Sequence, residues 1–399
     1  DPMKIRSGLD AVCADQADRL RGRRLGLLCH AASVNGDLVH AVDALMAAGV
    51  KPVRLFGPEH GVRGEAQDMI GVGEQVDRLT GIPVVSLYGD SFASLTPPPG
   101  SLDDLEVLVV DLQDIGSRYY TYVWTMTLAM QAAAKAGIEI VVLDRPNPLG
   151  GSLWEGGAID PGFESFVGLG SLPVRHGLTI GEIAKMACVG IPGRFLCKPL
   201  DVALTVVPME GWRRDMLFDE TGLPWVMPSP NMPTLDTGIV YPGMCLIEGT
   251  NISEGRGTTR PFEIVGAPWV NGQALADALT REKLPGVRFR PMGFEPTFQK
   301  HGRKSCGGVQ LHVDNRPAFL SYHTGVAVVR ALYQQGGGFG WRTEQYEFVS
   351  DRPAIDLLTG NERIRKGIES GATMAELAAT WSGSQAEFAQ TRAPHLLYR

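Results

Sequence analysis

Residues 53–64 read Val-Arg-Leu-Phe-Gly-Pro-Glu-His-Gly-Val-Arg-Gly. An acid (Glu59), an imidazole (His60) and a guanidinium (Arg63) follow the apolar run Val53 to Phe56, in a turn bounded by glycines and a proline. A carboxyl group or an imidazole can move a proton at a reacting atom, and a guanidinium can hold a carboxylate through paired hydrogen bonds. A buried parallel strand has no structural need for such a cluster, whereas the carboxyl edge of an open α/β sheet is where ligands bind. Three more clusters share this make-up. Asp111, Gln113, Asp114, Arg118, Tyr119, Tyr120 and Tyr122 follow a second apolar run, and Asp144, Arg145 and Asn147 follow a third. The stretch 228–259 carries Asn231, Glu248, Asn251, Glu254 and Arg256 among Pro, Gly, Ser and Thr. Carboxylates, arginines and aromatics along one edge suit a sugar. Aromatic faces stack on pyranose rings, Asn, Asp and Arg bond hydroxyls, and two carboxyl groups flanking a glycosidic bond supply acid and base, or acid and nucleophile.

Plainer roles compete for several of these residues. Asp111 and Asp114 also suit caps of the following turn, and Asp144–Arg145 suits a structural ion pair. At least one of Tyr119, Tyr120 and Tyr122 must pack inward, because successive helical residues do not all face one ligand. Trp124, Trp212 and Trp225 read first as core or rim packing. His176 divides evenly between a site and a structural role, while His301, His312 and His395 read as structural or exposed. Glu59-His60 is where the plain reading is weakest. Other chemistries find no support. The six cysteines are scattered without a C-x-x-C pair, there is no H-E-x-x-H, and there is no G-x-S-x-G elbow. Neither a metal nor a cofactor is expected.

The elements that must position these clusters alternate. Strand-like runs at Leu25–Cys29, Val53–Phe56, Val84–Tyr88, Leu105–Asp111 and Ile138–Leu143 are separated by helical segments, among them one over 37–48 capped by Asn35 and one over 122–136 stopped by Gly137. Nearly continuous apolar strands between helices imply a parallel sheet covered on both faces, in a Rossmann-like, doubly wound α/β layout. No nucleotide signature accompanies it. Gly71-Val72-Gly73 lacks a third glycine, and there is no G-x-x-x-x-G-K-[ST]. Thr179-Ile-Gly-Glu182 forms a capping box for a helix to about Val189. Leu204 to Val207 reads as the last strand of this unit. The stretch 224–260 reads as long and irregular, and so as functional. From about 270 a second α/β pattern begins, with a helix near 272–279, strands near 287–290 and 309–313, a helix near 318–333 and another near 374–381. The expected division is a catalytic Rossmann-like domain over 1–235 and a smaller α/β domain over 236–399 that closes a cleft.

Composition bounds the ligand. The 399 residues are 44% hydrophobic and 20% charged, with a net charge of −7 and a pI of about 5.7. There is no Lys/Arg run of the kind that binds nucleic acid. There is also no apolar stretch of the ~20 residues that a membrane helix needs. The expected partner is a small or oligomeric ligand. Asp1-Pro2 read as an addition before a native start at Met3, and no apolar leader core follows. The sequence as it stands thus reads as cytoplasmic; a leader removed upstream would make it periplasmic or secreted.

Taken together, Phe56-Gly-Pro-Glu-His-Gly-Val-Arg-Gly64, Gln113-Asp-Ile-Gly-Ser-Arg-Tyr-Tyr-Thr-Tyr122, Leu143-Asp-Arg-Pro-Asn-Pro148, Pro228-Ser-Pro-Asn-Met-Pro-Thr234 and Glu248-Gly-Thr-Asn-Ile-Ser-Glu-Gly-Arg-Gly-Thr-Thr259 resemble the exo-β-N-acetylmuramidases of the NamZ/YbbC type, over about residues 8 to 398. The resemblance implies a glycoside hydrolase that removes terminal, non-reducing N-acetylmuramic acid from peptidoglycan fragments, with its cleft between two domains. It places the leading catalytic candidate at Glu59, expected as general acid, with His60 orienting it or touching the sugar. The second carboxylate is sought among Asp114, Asp144, Glu248 and Glu254, with Glu254 favoured for its dense motif. Arg63, Arg118 or Arg256 is expected to bind the lactyl carboxylate, and Tyr120, Asp144, Arg145, Asn231, Glu248 and Asn251 complete the expected sugar contacts. Cys29-His30 departs from the Thr-Asn pair of many relatives. A non-catalytic binding protein for cell-wall muropeptide or amino-sugar fragments is the alternative; it would bind the same sugars without turnover.

Overall fold

The computed structural model describes residues 4–64 and 75–399. Among these, seven strands form one sheet: β1 (Leu25–Cys29), β2 (Arg54–Gly57), β3 (Gln75–Val76), β4 (Pro83–Ser86), β5 (Val107–Asp111), β6 (Glu139–Leu143) and β7 (Leu204–Val207), in the order β3-β4-β2-β1-β5-β6-β7. Every neighbouring pair is parallel except β3–β4. From β1 the chain winds outward through β2 and β4 on one side, then through β5, β6 and β7 on the other. The order therefore reverses between β1 and β5, as in a doubly wound fold.

The sheet is apolar on both faces because helices cover both. Leu25, Leu27, Val107 and Val109 join one core with Leu9 and Val12 of α1 (Gly8–Asp15) and Val42 and Leu45 of α2 (Ala41–Ala47). The alternate residues Leu28, Leu108 and Val110 join a second core with Met126 and Met130 of α3 (Tyr122–Ala136) and Ile183 of α4 (Ile180–Val189). The helix boundaries follow local chemistry. Ser7 with Asp10, and Thr179 with Glu182, form capping boxes, and Gly137 ends α3 in the left-handed region at φ +69°.

The second core runs on into a smaller unit, where Val265, Leu311 and Val328 belong to the same apolar cluster. That unit contains α5 (Leu235–Met244), β8 (Ile264–Ala267), α6 (Gly272–Arg281), β9 (Val287–Phe294), β10 (Cys306–Val313), α7 (Ser321–Gln335), α8 (Ala354–Thr359), α9 (Arg363–Glu369) and α10 (Met374–Arg392). Its three strands are antiparallel in the order β8-β10-β9. Among the described residues no helix is long and apolar enough to cross a membrane.

Three expectations need correction. The helix expected from residue 37 begins at Ala41: the Asn35 side chain accepts from the N–H groups of Asp37 and Val39, both at 2.9 Å, closing a turn instead, and His40 is the N-cap. The stretch 224–260 is not mostly irregular, since α5 runs through it with Pro242 inside and a 3₁₀ turn follows over Cys245–Gly249. The helix expected over 374–381 continues to Arg392. Gly71-Val72-Gly73 lies outside the described residues.

Candidate active site

A cavity of about 520 Å³ opens beyond the carboxyl ends of β2, β4 and β5. The segments after those strands line it with Glu59 and His60, Gly89 and Asp90, and Tyr119 to Tyr122. Ser229 to Met232 form a further wall. The smaller unit supplies Tyr241, Glu248, Arg256, Phe262 and Gln299, together with Arg342 and Gln345 to Phe348 from the segment between α7 and α8.

The cavity sits to one side of the β1/β5 switch point, because the protein's own side chains fill that crevice. Arg145 makes a two-pronged ion pair with Asp111, with Nε at 2.5 Å and Nη2 at 2.9 Å, and both residues are buried. His30 is fully buried, accepts the Gln113 N–H at Nε2 (2.8 Å) and meets Tyr122 edge to face at 4.5 Å. Burial, then the Arg145 charge, holds the His30 ring well below the usual imidazole pKa, so it is neutral. His30 therefore packs behind the tyrosines.

The Glu59 turn is built tightly. The Gly61 N–H bonds the Pro58 carbonyl at 3.1 Å, and His60 takes φ +72°, a conformation that favours glycine. His40 secures the turn from behind. Its Nδ1 accepts the Val42 N–H, so Nε2 carries the proton and donates to the carbonyls of His30 and Val62, both at 3.0 Å. Arg63 secures the other end, forking onto Asp77 at 2.7 and 3.1 Å and reaching Asp43 at 3.2 Å. These bonds hold Asp77 below its usual pKa and raise that of Arg63. Arg63 is therefore committed to aiming the turn and does not line the cavity. His60 Nε2 lies 3.7 Å from Glu59 Oε1, and both side chains keep partial exposure to the cavity.

The aromatic wall is ordered by its hydroxyls. Tyr120 donates to Ser229 Oγ and Tyr122 to the Pro228 carbonyl, both at 2.6 Å, and Tyr119 donates to the Pro242 carbonyl at 3.0 Å. Tyr120 meets Tyr122 and Tyr241 edge to face at 5.1 and 5.7 Å, and Tyr241 meets Phe262 at 4.9 Å. The opposite wall is electrostatic. Arg256 bonds Glu248 at 2.6 Å and Glu254 at 3.5 Å, and Lys300 Nζ holds the second oxygen of Glu254 at 3.0 Å. Tyr346 donates to Glu248 Oε2 at 2.5 Å.

Of the residues expected at the site, Glu59, His60, Tyr120, Asn231, Glu248 and Arg256 meet at the cavity. The others lie elsewhere. Glu254 is buried behind Arg256, with both oxygens engaged. Asp114 is buried against His176 Nε2 at 2.9 Å and the Gly116 N–H. Asp144 is buried under four donors, namely the N–H groups of Arg145 and Gly181 and the hydroxyls of Thr179 and Tyr398; burial still pushes its carboxyl up to about 6. Arg118 is fully buried and donates to the carbonyls of Gly157, Leu172 and Leu358, which ties the two units together. The Asn251 amide is spent on Gly338 and Gly340. Trp124 is core, and none of Trp124, Trp212 and Trp225 lines the cavity.

Sequence reasoning missed the segment 342–348. Its Arg-Thr-Glu-Gln-Tyr-Glu-Phe mixes charge and aromatics as the recognised clusters do, which is the signal that was available. Glu347 and Phe348 both have positive φ, +46° and +69°. Burial, then the nearby carboxylates of Glu59 and Glu248, push the Glu347 carboxyl up to about 8. Arg342 stacks over the Tyr346 ring at 5.0 Å, and the exposed Glu344 lies 4.0 Å away. Among the described residues no group of three or more His, Cys, Asp and Glu is arranged to hold a metal ion.

Comparison with known proteins bears on this cavity. Residues 25–236 match the family described as exo-β-N-acetylmuramidase NamZ, N-terminal, and residues 239–398 match its C-terminal counterpart. The peptidoglycan β-N-acetylmuramidase NamZ of Bacillus subtilis (strain 168) is 44% identical over 396 residues, which cover 99% of this chain and 92% of that protein. A crystal structure of a DUF1343 family protein from Bacteroides fragilis NCTC 9343 superposes with a TM-score of 0.88 at 34% identity, covering all of both chains. A second protein of that family from the same organism gives 0.77 at 28% identity, covering all of this chain and 99% of the other.

Proposed function

The chain belongs to the exo-β-N-acetylmuramidase NamZ family, and from that membership we propose that its cavity hydrolyses the β-glycosidic bond of a terminal, non-reducing N-acetylmuramic acid in peptidoglycan fragments. The observation that carries this reading is the meeting of Glu59 and Glu347 in one aromatic-walled cavity. Glycosidases work with two carboxyl groups whose environments drive their protonation states apart. Glu59 is one catalytic carboxyl, and His60 fixes its position. Tyr120, Tyr241 and Phe262 offer apolar faces to the ring, and Asn231 offers an amide to a hydroxyl or the acetamido group.

The lactyl carboxylate needs a positive charge. Arg256 lines the cavity but already neutralises Glu248 and Glu254. Arg342 faces the same cavity with an exposed glutamate as its ionic neighbour, and such a surface pair contributes only about 0–1 kcal/mol. Arg342 is the lactyl anchor in this reading. A charge-assisted hydrogen bond contributes about 1.5–3 kcal/mol, roughly 10- to 100-fold in affinity. Calorimetry should therefore show Arg342→Gln losing about that factor for N-acetylmuramic acid while N-acetylglucosamine, which lacks the lactyl group, binds as before. Equal losses for both sugars would remove Arg342 from this role.

The activity is tested by incubating the protein with an N-acetylmuramyl–N-acetylglucosamine disaccharide and assaying free N-acetylmuramic acid. Binding without release would leave a sugar-binding protein and overturn the hydrolase reading.

A further inference from the structure

We propose that Glu347 is the second catalytic carboxyl of the cavity, the group that hands its proton to the glycosidic oxygen, with Glu59 as its ionised partner. This rests on the muramidase reading above and reverses the role expected for Glu59 from the sequence.

Placement comes first. Glu59 arrives from the β2 turn of the Rossmann-like unit, and Glu347 arrives from the α7–α8 segment of the smaller unit, so the cavity receives one carboxyl from each. Other acids of the cavity are less suited to donate a proton. Glu248 has both oxygens engaged, Oε1 by Arg256 and Oε2 by the Tyr346 hydroxyl, and Asp90 is exposed. Glu254, favoured from the sequence, stands behind Arg256 as a positioning residue.

Backbone geometry agrees. Two consecutive non-glycine residues at positive φ are costly, and such strain persists where surrounding contacts over-determine it, often at functional sites. Those contacts are present. Tyr346 and Val349 exchange backbone hydrogen bonds at 2.9 Å in both directions, the Tyr346 hydroxyl is fixed on Glu248, and Arg342 stacks on the Tyr346 ring. The loop is pinned at 346 and 349 so that 347 and 348 turn toward the cavity; Phe348 also meets Tyr88 at 6.3 Å.

Electrostatics sets the proton. The charged and titratable groups around Glu347 are Glu59, Glu248, Arg342, Arg256, Tyr88 and Tyr346. Burial is the largest influence, the two carboxylates reinforce it, and the two arginines oppose it, leaving Glu347 at about 8 and so protonated at neutral pH. Glu347 then gives its proton to the glycosidic oxygen as the C1–O pair leaves with that oxygen, freeing the glucosamine hydroxyl. The Glu59 carboxylate supports the positive charge developing at C1. Water supplies hydroxyl to C1, and its remaining proton returns to the carboxyl pair, which holds one proton before and after.

The test compares leaving groups. A sugar alkoxide must be protonated as it departs, whereas 2,4-dinitrophenolate leaves without a proton. For full-length Glu347→Gln, kcat/KM on the muramyl–glucosamine disaccharide should fall about 10²–10⁴-fold, while that on 2,4-dinitrophenyl β-N-acetylmuraminide should fall less than about 10-fold. Glu59→Gln should lose activity on both. Wild-type kcat/KM on the disaccharide should decline above about pH 8, with no such limb for the aryl substrate. An unchanged melting temperature and retained N-acetylmuramic acid binding show that the variant is folded. Glu347→Asp, which keeps the acid on a shorter arm, should show the same substrate pattern more weakly. Equal losses on both substrates, or none, in an active wild-type background would overturn the assignment of Glu347 alone. A wild type inactive on both substrates would overturn the muramidase reading, and this inference with it.

Discussion

Replacing Glu59 by glutamine is expected to lower kcat for release of N-acetylmuramic acid by about 10²–10⁴-fold, with little change in the affinity for the free sugar. The substitution keeps the shape and hydrogen-bonding capacity of the side chain but removes its ability to carry negative charge or accept a proton. The turn itself should survive. It is held by the Gly61–Pro58 backbone bond, by His40 on the carbonyls of His30 and Val62, and by Arg63 on Asp77 and Asp43. The loss should therefore fall on kcat, with an unchanged melting temperature. Arg63→Gln offers the contrast. It removes the anchor of the turn, and its damage should include lower thermal stability and be largely shared between substrates. A Glu59→Gln enzyme with wild-type kcat would remove Glu59 from the chemistry.

The chain reveals its sheet more readily than its site. β1 and β5 are legible because burial on both faces makes each strand a continuous apolar run. The Glu59 turn is legible because an acid and an imidazole interrupt that pattern at a strand's end. α5 is hidden in a Pro- and Gly-rich stretch, since local propensity argues against a helix holding Gly238, Pro242 and Gly243. Tertiary packing decides otherwise. A Cβ on Gly243 would meet the Ser321 carbonyl oxygen at 1.9 Å, and one on Gly325 would meet the Gly243 oxygen at 2.1 Å, so bare glycines are what let α5 and α7 cross this closely. That crossing brings Tyr241 and Glu248 to the cavity. The arginines were the least legible residues. Arg63, Arg118, Arg145 and Arg256 look alike in sequence, and only their partners separate a turn anchor, a carbonyl clamp, a switch-point plug and a cavity wall. Glu347 is hard to read because its segment lies between Gly336-Gly-Gly-Phe-Gly340 and Ser350-Asp-Arg-Pro353, so the whole stretch reads as connecting loop.

Arg256→Met should cost the protein about 2–3 kcal/mol of stability, somewhat under the ~3–5 kcal/mol typical of a fully buried pair because the Arg256 side chain keeps 30% exposure. Methionine fills much of the same volume, so the cost arises chiefly from Glu248 and Glu254, which would remain inside without their shared cation. Lys300 would still serve one oxygen of Glu254, and Tyr346 one of Glu248. The pH dependence identifies the cause. Lys300 and Arg256 hold Glu254 below its ordinary pKa in the folded protein, so this pairing stabilises the fold above the unfolded carboxyl's pKa and fades as pH falls through the lower, folded value. The variant's deficit in melting temperature should thus be greatest near neutral pH and shrink on acidification, first as the variant's stranded carboxyls take up protons and then as pH falls through the depressed folded value of wild-type Glu254. Adding Glu254→Gln to Arg256→Met removes one stranded charge, so the double variant should be more stable than the sum of the two single losses allows. Strictly additive losses, or a deficit indifferent to pH, would mean that Arg256 stabilises the wall by packing over Phe262 (5.4 Å from the ring) rather than by its charge.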